Sequence, residues 1–393
     1  MSNFAERFRL GNPSGPTVAI KDCIDIAGWP TRAGSAALAH AAPASGDAAV
    51  VGALVDAGWC IVGKTNMHEL AYGMTGINGW AGTPVNPQHP DWIPGGSSSG
   101  SAAAVGAGEA DAAIGSDTGG SIRLPAACCG VFGLKPSFGR VSRRGALPRD
   151  SSLDCLGPFA RDMATLERVM AAIDPAFDAE LAGQPLAGAR IGVVATGSDE
   201  AVETAVQAAL DASGWDIEAR TLPGLPAAFQ AGLTIINKET WSAFGELLDG
   251  GAVGEDVARR LRSASETSPE AVQQAESVRQ RFIEEVDGAL AGVDALVMPT
   301  LPSLPPTLAQ VAAGHSIIAL SSLVRPFNLS GHPALSFPVP LTVYAGQGKP
   351  ALTAGLQLVG RKGDDERLCA LALHLEQALR ALDRTHPHVP ITI

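Results

Sequence analysis

No stretch of about 18 apolar residues, the length a membrane-spanning helix needs, occurs in this chain. Its opening segment, MSNFAERFRLGNPSG, has no apolar core of the kind a secretory leader carries. These two absences lead to the expectation of a soluble, cytoplasmic protein with no membrane partner. Lys and Arg never run longer than two in succession and the net charge is −12, which argues against a nucleic-acid surface. The six cysteines (Cys23, Cys60, Cys128, Cys129, Cys155, Cys369) have neither CxxC nor metal-site spacing, so they read as reduced core thiols. The histidines likewise lack metal-ligand spacing.

What is present is a large apolar fraction, 46% of 393 residues, enough for a sizeable core without disulfide staples. Gly (45) and Pro (28) imply many turns. Apolar runs predict strands at 16–27, 59–63, 110–116, 189–196, 215–220, 295–299 and 355–359. Helices are predicted at 48–57, from 65 to about 73, at 101–108, at 200–212, through most of 226–290, and at 364–382. Residues 74–96 read as one long irregular segment. Alternation of the two element types argues for an α/β fold with a mixed sheet. With no internal repeat and no low-complexity linker, residues 1–393 are expected to form a single domain. Its catalytic motifs fall in 16–160, a variable helical part in about 185–290, and a completing part in 291–393.

The most informative segment is Gly115-Ser-Asp-Thr-Gly-Gly-Ser-Ile-Arg123, a glycine-rich turn ending in a serine. Adjacent glycines let several N–H groups converge beside a hydroxyl, the arrangement acyl transfer needs. A serine cluster, Gly95-Gly-Ser-Ser-Ser-Gly-Ser101, precedes it. Two pattern matches nearby mislead. Gly58-Trp-Cys-Ile-Val-Gly-Lys-Thr65 fits the phosphate-loop expression, but its centre is strand-like where a flexible loop is required, so Lys64 reads as a partly solvated strand-end lysine. Gly96-Ser-Ser-Ser-Gly100 fits a nucleophile elbow centred on Ser98, yet no downstream histidine sits in a loop with an evident carboxylate partner.

Several blocks in order resemble the amidase signature family: Val18-Ala-Ile-Lys-Asp22, Gly63-Lys-Thr-Asn-Met67, Gly82-Thr-Pro-Val-Asn-Pro87, the serine cluster, the glycine turn, and Gly130-Val-Phe-Gly-Leu-Lys-Pro136. Met298-Pro-Thr300, Asn328-Leu-Ser-Gly331 with Pro333, and Gly355-Leu-Gln-Leu-Val-Gly360 extend the likeness over nearly the whole chain. The resemblance implies the amidase signature fold, a central mixed sheet with helices on both faces. It also implies a Ser–Ser–Lys triad without histidine. Residue by residue, Ser121 matches the nucleophile, Ser97 the bridging serine after a cis peptide, and Lys21 the base. The N–H groups of Thr118, Gly119, Gly120 and Ser121 match the oxyanion hole. Neither metal nor organic cofactor is implied.

The implied reaction is hydrolysis of a carboxylic amide to carboxylate and ammonia through an acyl-enzyme on Ser121. Lys21 must be neutral to act, and its apolar flanks suit a lowered pKa. Plainer readings stand beside these. Ser97–Ser101 could be a helix N-cap cluster, Lys21 an edge-strand lysine, and Asp117 with Arg123 a structural ion pair. Only 20 residues precede Lys21, so the chain is expected to resemble small stand-alone amidases of the indole-3-acetamide hydrolase or malonamidase type, acting on a small-molecule amide as a monomer or homodimer. The alternatives are a glutaminase-like A subunit of a tRNA-dependent amidotransferase and a non-catalytic paralogue. Tyr72, Met74 and Trp80 match the segment that lines the acyl pocket. Arg325 reads either as a contact to a substrate carboxylate or as a solvated surface cation.

Overall fold

Alternating side chains build a sheet that is buried on both faces. The computed structural model describes residues 2–341 and 352–385. Among them are eleven strands in one mixed sheet: β1 (Phe4–Gly11), β2 (Thr17–Lys21), β3 (Cys60–Thr65), β4 (Ala112–Asp117), β5 (Phe132–Lys135), β6 (Cys155–Ala160), β7 (Arg190–Val194), β8 (Asp216–Arg220), β9 (Ala295–Pro299), β10 (Ala334–Pro340) and β11 (Thr353–Val359). Their order is β1-β3-β2-β4-β6-β5-β10-β11-β9-β7-β8.

Val18, Ile20, Ile61, Ile114, Val297, Leu335 and Phe337 face one core, covered by helices Ala49–Asp56, Met163–Ile173, Glu200–Ser213 and Asp365–Thr385. Their neighbours Ala19, Val62 and Ala113 face the opposite side, under helices Ser99–Gly106 and Arg123–Cys129. Leu296, Met298 and Val359 meet helices Leu225–Phe244, Pro269–Ala289 and Arg325–Ser330 on that side. Period-2 burial on both faces is what a sheet between two helical layers requires. Each buried Val, Ile, Leu, Phe or Met among them contributes about 1.5–3 kcal/mol. The expected α/β architecture, a mixed sheet flanked by helices on both faces, is thus present. Among the described residues no helix is long and apolar enough to cross a membrane.

β2 runs parallel to both β3 and β4, with Ile20 opposite Ile114. The carboxyl ends of β2 and β4, Lys21 and Ser116–Asp117, therefore lie side by side, the usual place for a site in an open α/β sheet. The expected unit at 189–220 forms, with β7 and β8 parallel around helix Glu200–Ser213. The helix expected from residue 65 does not. β3 runs through Thr65, and only a short 3₁₀ turn, Glu69–Ala71, follows. Leu70 and Ala71 have φ of 53° and 56°, a left-handed backbone that no right-handed helix accommodates. β1, β5, β6 and β10 were not foreseen. β1 alternates half-buried and exposed positions after the buried Phe4, with Arg7 and Arg9 on its exposed face. β5 and β6 are short and contain Gly or Pro, which mask strand periodicity.

Candidate active site

Lys21, the last residue of β2, is fully buried. Its Nζ donates to Ser97 Oγ at 2.7 Å and to Ser116 Oγ at 2.8 Å. Burial lowers its pKa from the usual lysine value, because a charged amine loses its hydration there. The charges of Cys23, Asp154 and Asp117 pull the other way. Ser97 is also fully buried, and the Gly96–Ser97 peptide is cis.

The serines that follow do not cap their helix. Ser98 stands at the N-cap of helix Ser99–Gly106 without a side-chain cap bond. Its hydroxyl instead donates to the Ser116 carbonyl at 3.1 Å and accepts the Ser116 N–H at 3.3 Å. Ser101 Oγ donates to the Ile114 carbonyl at 3.1 Å. The cluster fastens this helix to β4, and Ser98 is committed to that task, not free as an elbow nucleophile. Close approach is possible because residue 115 is glycine. A Cβ there would lie 2.6 Å from the Phe159 ring and 2.8 Å from Ser98 Oγ.

After β4 the chain turns through Thr118–Gly120 to Ser121, which is 7% exposed. The Ser98 N–H donates to the Ser121 carbonyl at 3.3 Å, so the two serine-bearing segments touch. Gly120 has φ of 113°, and a Cβ on it would come within 2.2 Å of Val324 Cγ2. Asp117 holds the turn by accepting the Gly120 N–H at 2.7 Å and the Ile122 N–H at 3.0 Å. Of the four expected oxyanion donors, the Gly120 N–H is therefore already engaged. Those of Thr118, Gly119 and Ser121 donate to no other group among the described residues.

Arg123 answers Asp117 as a structural ion pair. Its Nε and Nη2 each reach the carboxylate at 3.0 Å, with both side chains fully buried. The same guanidinium donates to Val324 O, Gln357 Oε1 and Asn328 Oδ1. Burial alone would raise the Asp117 pKa, but the charge and hydrogen bonds of Arg123 with those of Asn328 hold it below the usual range.

Three sequence expectations need correction. Lys64 is not partly solvated; it is 1% exposed and paired with Asp22 at 3.1 Å, because β3 carries it inside the sheet. Trp80 is 48% exposed where Tyr72 is 8% exposed, so the expected lining is only partly buried. Arg325 is no surface cation. It is 5% exposed, its guanidinium lies 4.2 Å over the Phe229 ring, and its Nη2 lies 2.8 Å from Ser321 Oγ and 3.9 Å from Met74 Sδ. In addition, His332 does have an upstream carboxylate, Asp287 at 2.9 Å, although that pair is far from complete as a triad because Ser98 serves β4.

Sequence reasoning missed Ser116, which shares Lys21 with Ser97, and Asp154, which accepts from Thr118 Oγ1 at 2.9 Å and from Arg143 Nε at 3.0 Å. Ser116 lay inside the glycine-turn motif, and the parallel pairing of β2 with β4 is the signal that exposes its role. Nothing local marks Asp154, which reaches the turn only through the antiparallel pairing of β4 with β6.

The topology of the sheet thus sets a buried Lys–Ser pair beside a glycine turn. The amidase family profile matches residues 12–369, and the chain belongs to that family. It is 35% identical over 412 residues to the A subunit of glutamyl-tRNA(Gln) amidotransferase from Methanospirillum hungatei, covering 93% of each chain. Among solved structures, it is similar to the inhibitor-bound vestigial protein complex that reveals the origins of an s-triazine catabolic enzyme (TM-score 0.84, 30% identity, 94% of this chain and 85% of that one). It is also similar to the A subunit of glutamyl-tRNA(Gln) amidotransferase from Thermotoga maritima (TM-score 0.78, 30% identity, 92% and 83%). These relatives overturn the expectation of a stand-alone chain that meets only a small amide and works as a monomer or homodimer. They are subunits of larger assemblies, and the match spans nearly the full length of both chains. The relatives found first are amidotransferase A subunits, not enzymes of the indole-3-acetamide hydrolase or malonamidase type.

Proposed function

We propose that this chain is the amide-hydrolysing subunit of an amidotransferase-type complex and releases ammonia from glutamine. The observation that carries the proposal is the 2.7 Å hydrogen bond between Lys21 Nζ and Ser97 Oγ in a fully buried site. It lies beside the turn that ends in Ser121, whose carbonyl accepts the Ser98 N–H at 3.3 Å. The full-length likeness to amidotransferase A subunits supports a role as one component of a complex. Six free, buried thiols suit the reducing cytosol, where we place this work.

In this mechanism neutral Lys21 takes the Ser97 proton while Ser97 takes that of Ser121. Ser121 Oγ then attacks the amide carbon. The N–H groups of Thr118, Gly119 and Ser121 stabilise the developing oxyanion. The proton returns through Ser97 to the leaving nitrogen, the C–N bond breaks and ammonia departs. Water then attacks the acyl-enzyme by the same relay, releasing the carboxylate and restoring Ser121.

Ammonia release from glutamine tests the proposal. Ser121→Ala is expected to lose at least about 10³-fold in turnover. Unchanged release in that variant overturns the mechanism.

A further inference from the structure

We propose that Arg325 binds a carboxylate on the acyl part of the substrate, so that the amide opened by Ser121 is the amide of an acid bearing a second, anionic group. The proposal rests on the amide-hydrolysing reading above and names the substrate class of that site.

Arg325 begins helix Arg325–Ser330 and is 5% exposed. Among the described residues no Asp or Glu forms an ion pair with it, and neither Nε nor Nη1 has a hydrogen-bond partner. This sets it apart from the other buried guanidinium of the site, Arg123, whose donors are matched by Asp117, Asn328, Gln357 and Val324 O. A buried cation without an anion is strongly unfavourable, and arginine does not shed its proton to escape. Burial lowers its pKa to about 10, which leaves it charged at neutral pH. The Phe229 ring 4.2 Å away covers one face of the guanidinium. Ring stacking does not use the in-plane N–H groups of Nε and Nη1, which still need an acceptor.

The position of this charge ties it to the chemistry. A Cβ on Gly119 would lie 3.5 Å from Arg325 Nε, and one on Gly120 would strike Val324. The segment carrying Arg325 is thus packed against the turn that delivers Ser121. Met74 Sδ is 3.9 Å from Nη2. Tyr72 is held nearby, its hydroxyl donating to Asn237 Oδ1 at 2.6 Å, and its electrostatic influence reaches Arg325. Two residues expected to line the acyl pocket therefore surround an arginine with donors to spare. A carboxylate a few bonds from the amide carbon satisfies those donors while the carbonyl sits over Gly119.

The experiment compares succinamate and glutamine, which carry a carboxylate, with butyramide, which does not. Wild-type enzyme is expected to favour succinamate over butyramide in kcat/KM by about 10²-fold or more, since a site built to pair a charged group discriminates strongly against its absence. In Arg325→Met that ratio collapses toward one, chiefly through KM for succinamate, and Arg325→Lys restores part of it. A wild-type ratio near one overturns the proposal, as does an equal loss for both substrates in Arg325→Met, which would mean a structural role. Calorimetric binding of succinamate and butyramide to Ser121→Ala reads the same preference without turnover. If that preference appears and depends on Arg325 while no amide is hydrolysed, the carboxylate site stands and the amidase reading fails. If both amides are hydrolysed and bound alike, the reverse holds.

Discussion

Three lysines, Lys21, Lys64 and Lys135, are all at most 1% exposed, and they differ in what their side-chain nitrogens meet. Lys64 faces the Asp22 carboxylate at 3.1 Å and donates to the Pro30 carbonyl at 2.9 Å. Lys135 donates to the Pro136 carbonyl. Lys21 alone meets two hydroxyls, those of Ser97 and Ser116, and one of them leads toward Ser121. Its pKa is lowered by burial from 10.5, so at a given pH more of the amine is neutral than in an exposed lysine. The sign follows: protonation removes the base, so activity falls as pH drops through the Lys21 pKa. The profile of kcat/KM against pH is expected to rise along an acid limb centred below 10.5. Lys21→Arg, which cannot deprotonate, is expected to abolish that limb together with activity. A limb that survives in Lys21→Arg would assign the base elsewhere. Lys21, Ser97 and Ser121 stood out as candidates because each sits in a short motif that resembles the family's. The pairing of Lys21 with Ser116 did not, because it depends on strand register.

At the scale of elements, the turn before Ser121 is held by a network that joins four of them. Asp117 ends β4, Arg123 opens the next helix, Asn328 lies on helix Arg325–Ser330 and Gln357 on β11. Asn328 Nδ2 donates to both Asp117 O and Asp117 Oδ1, at 2.7 and 2.8 Å. Removing Arg123 strands a buried carboxylate. Arg123→Met is therefore expected to cost about 3–5 kcal/mol in urea unfolding, the range for breaking a buried pair from one side. Loss of under about 0.5 kcal/mol, the range of an ordinary surface change, would show that the network is slack. The members of this network were visible as residues of separate motifs, and the Asp117–Arg123 pair could be suspected from its spacing. Asn328 and Gln357 could not be assigned, since they stand 211 and 234 residues away in sequence from their partners. The same distinction holds for the fold. Long elements with a clear apolar period, such as Glu200–Ser213 and the C-terminal helix, were legible. Short strands rich in Gly or Pro and the left-handed bend at Leu70–Ala71 were not.

At the scale of the whole molecule, motif order placed the chain in its family, but association with other chains is a property of surfaces that carry no periodic signal. The relatives, one of them matched along 93% of its length, are A subunits of glutamyl-tRNA(Gln) amidotransferases. A catalytic component that hydrolyses glutamine without its partners wastes ammonia, so a working assembly couples the two. The coupling free energy of such allosteric pairs is about 1–3 kcal/mol, or about 5–150-fold in affinity. On the proposed function, kcat/KM for glutamine of the purified chain is thus expected to rise, through KM, by a factor in that range when the remaining amidotransferase components from the same source are added. The increase should vanish in Ser121→Ala, which separates true stimulation from ammonia made by the added proteins. A chain that sediments alone in their presence, and hydrolyses glutamine at the same rate with or without them, would refute its assignment to a complex while leaving the Lys21–Ser97–Ser121 chemistry intact.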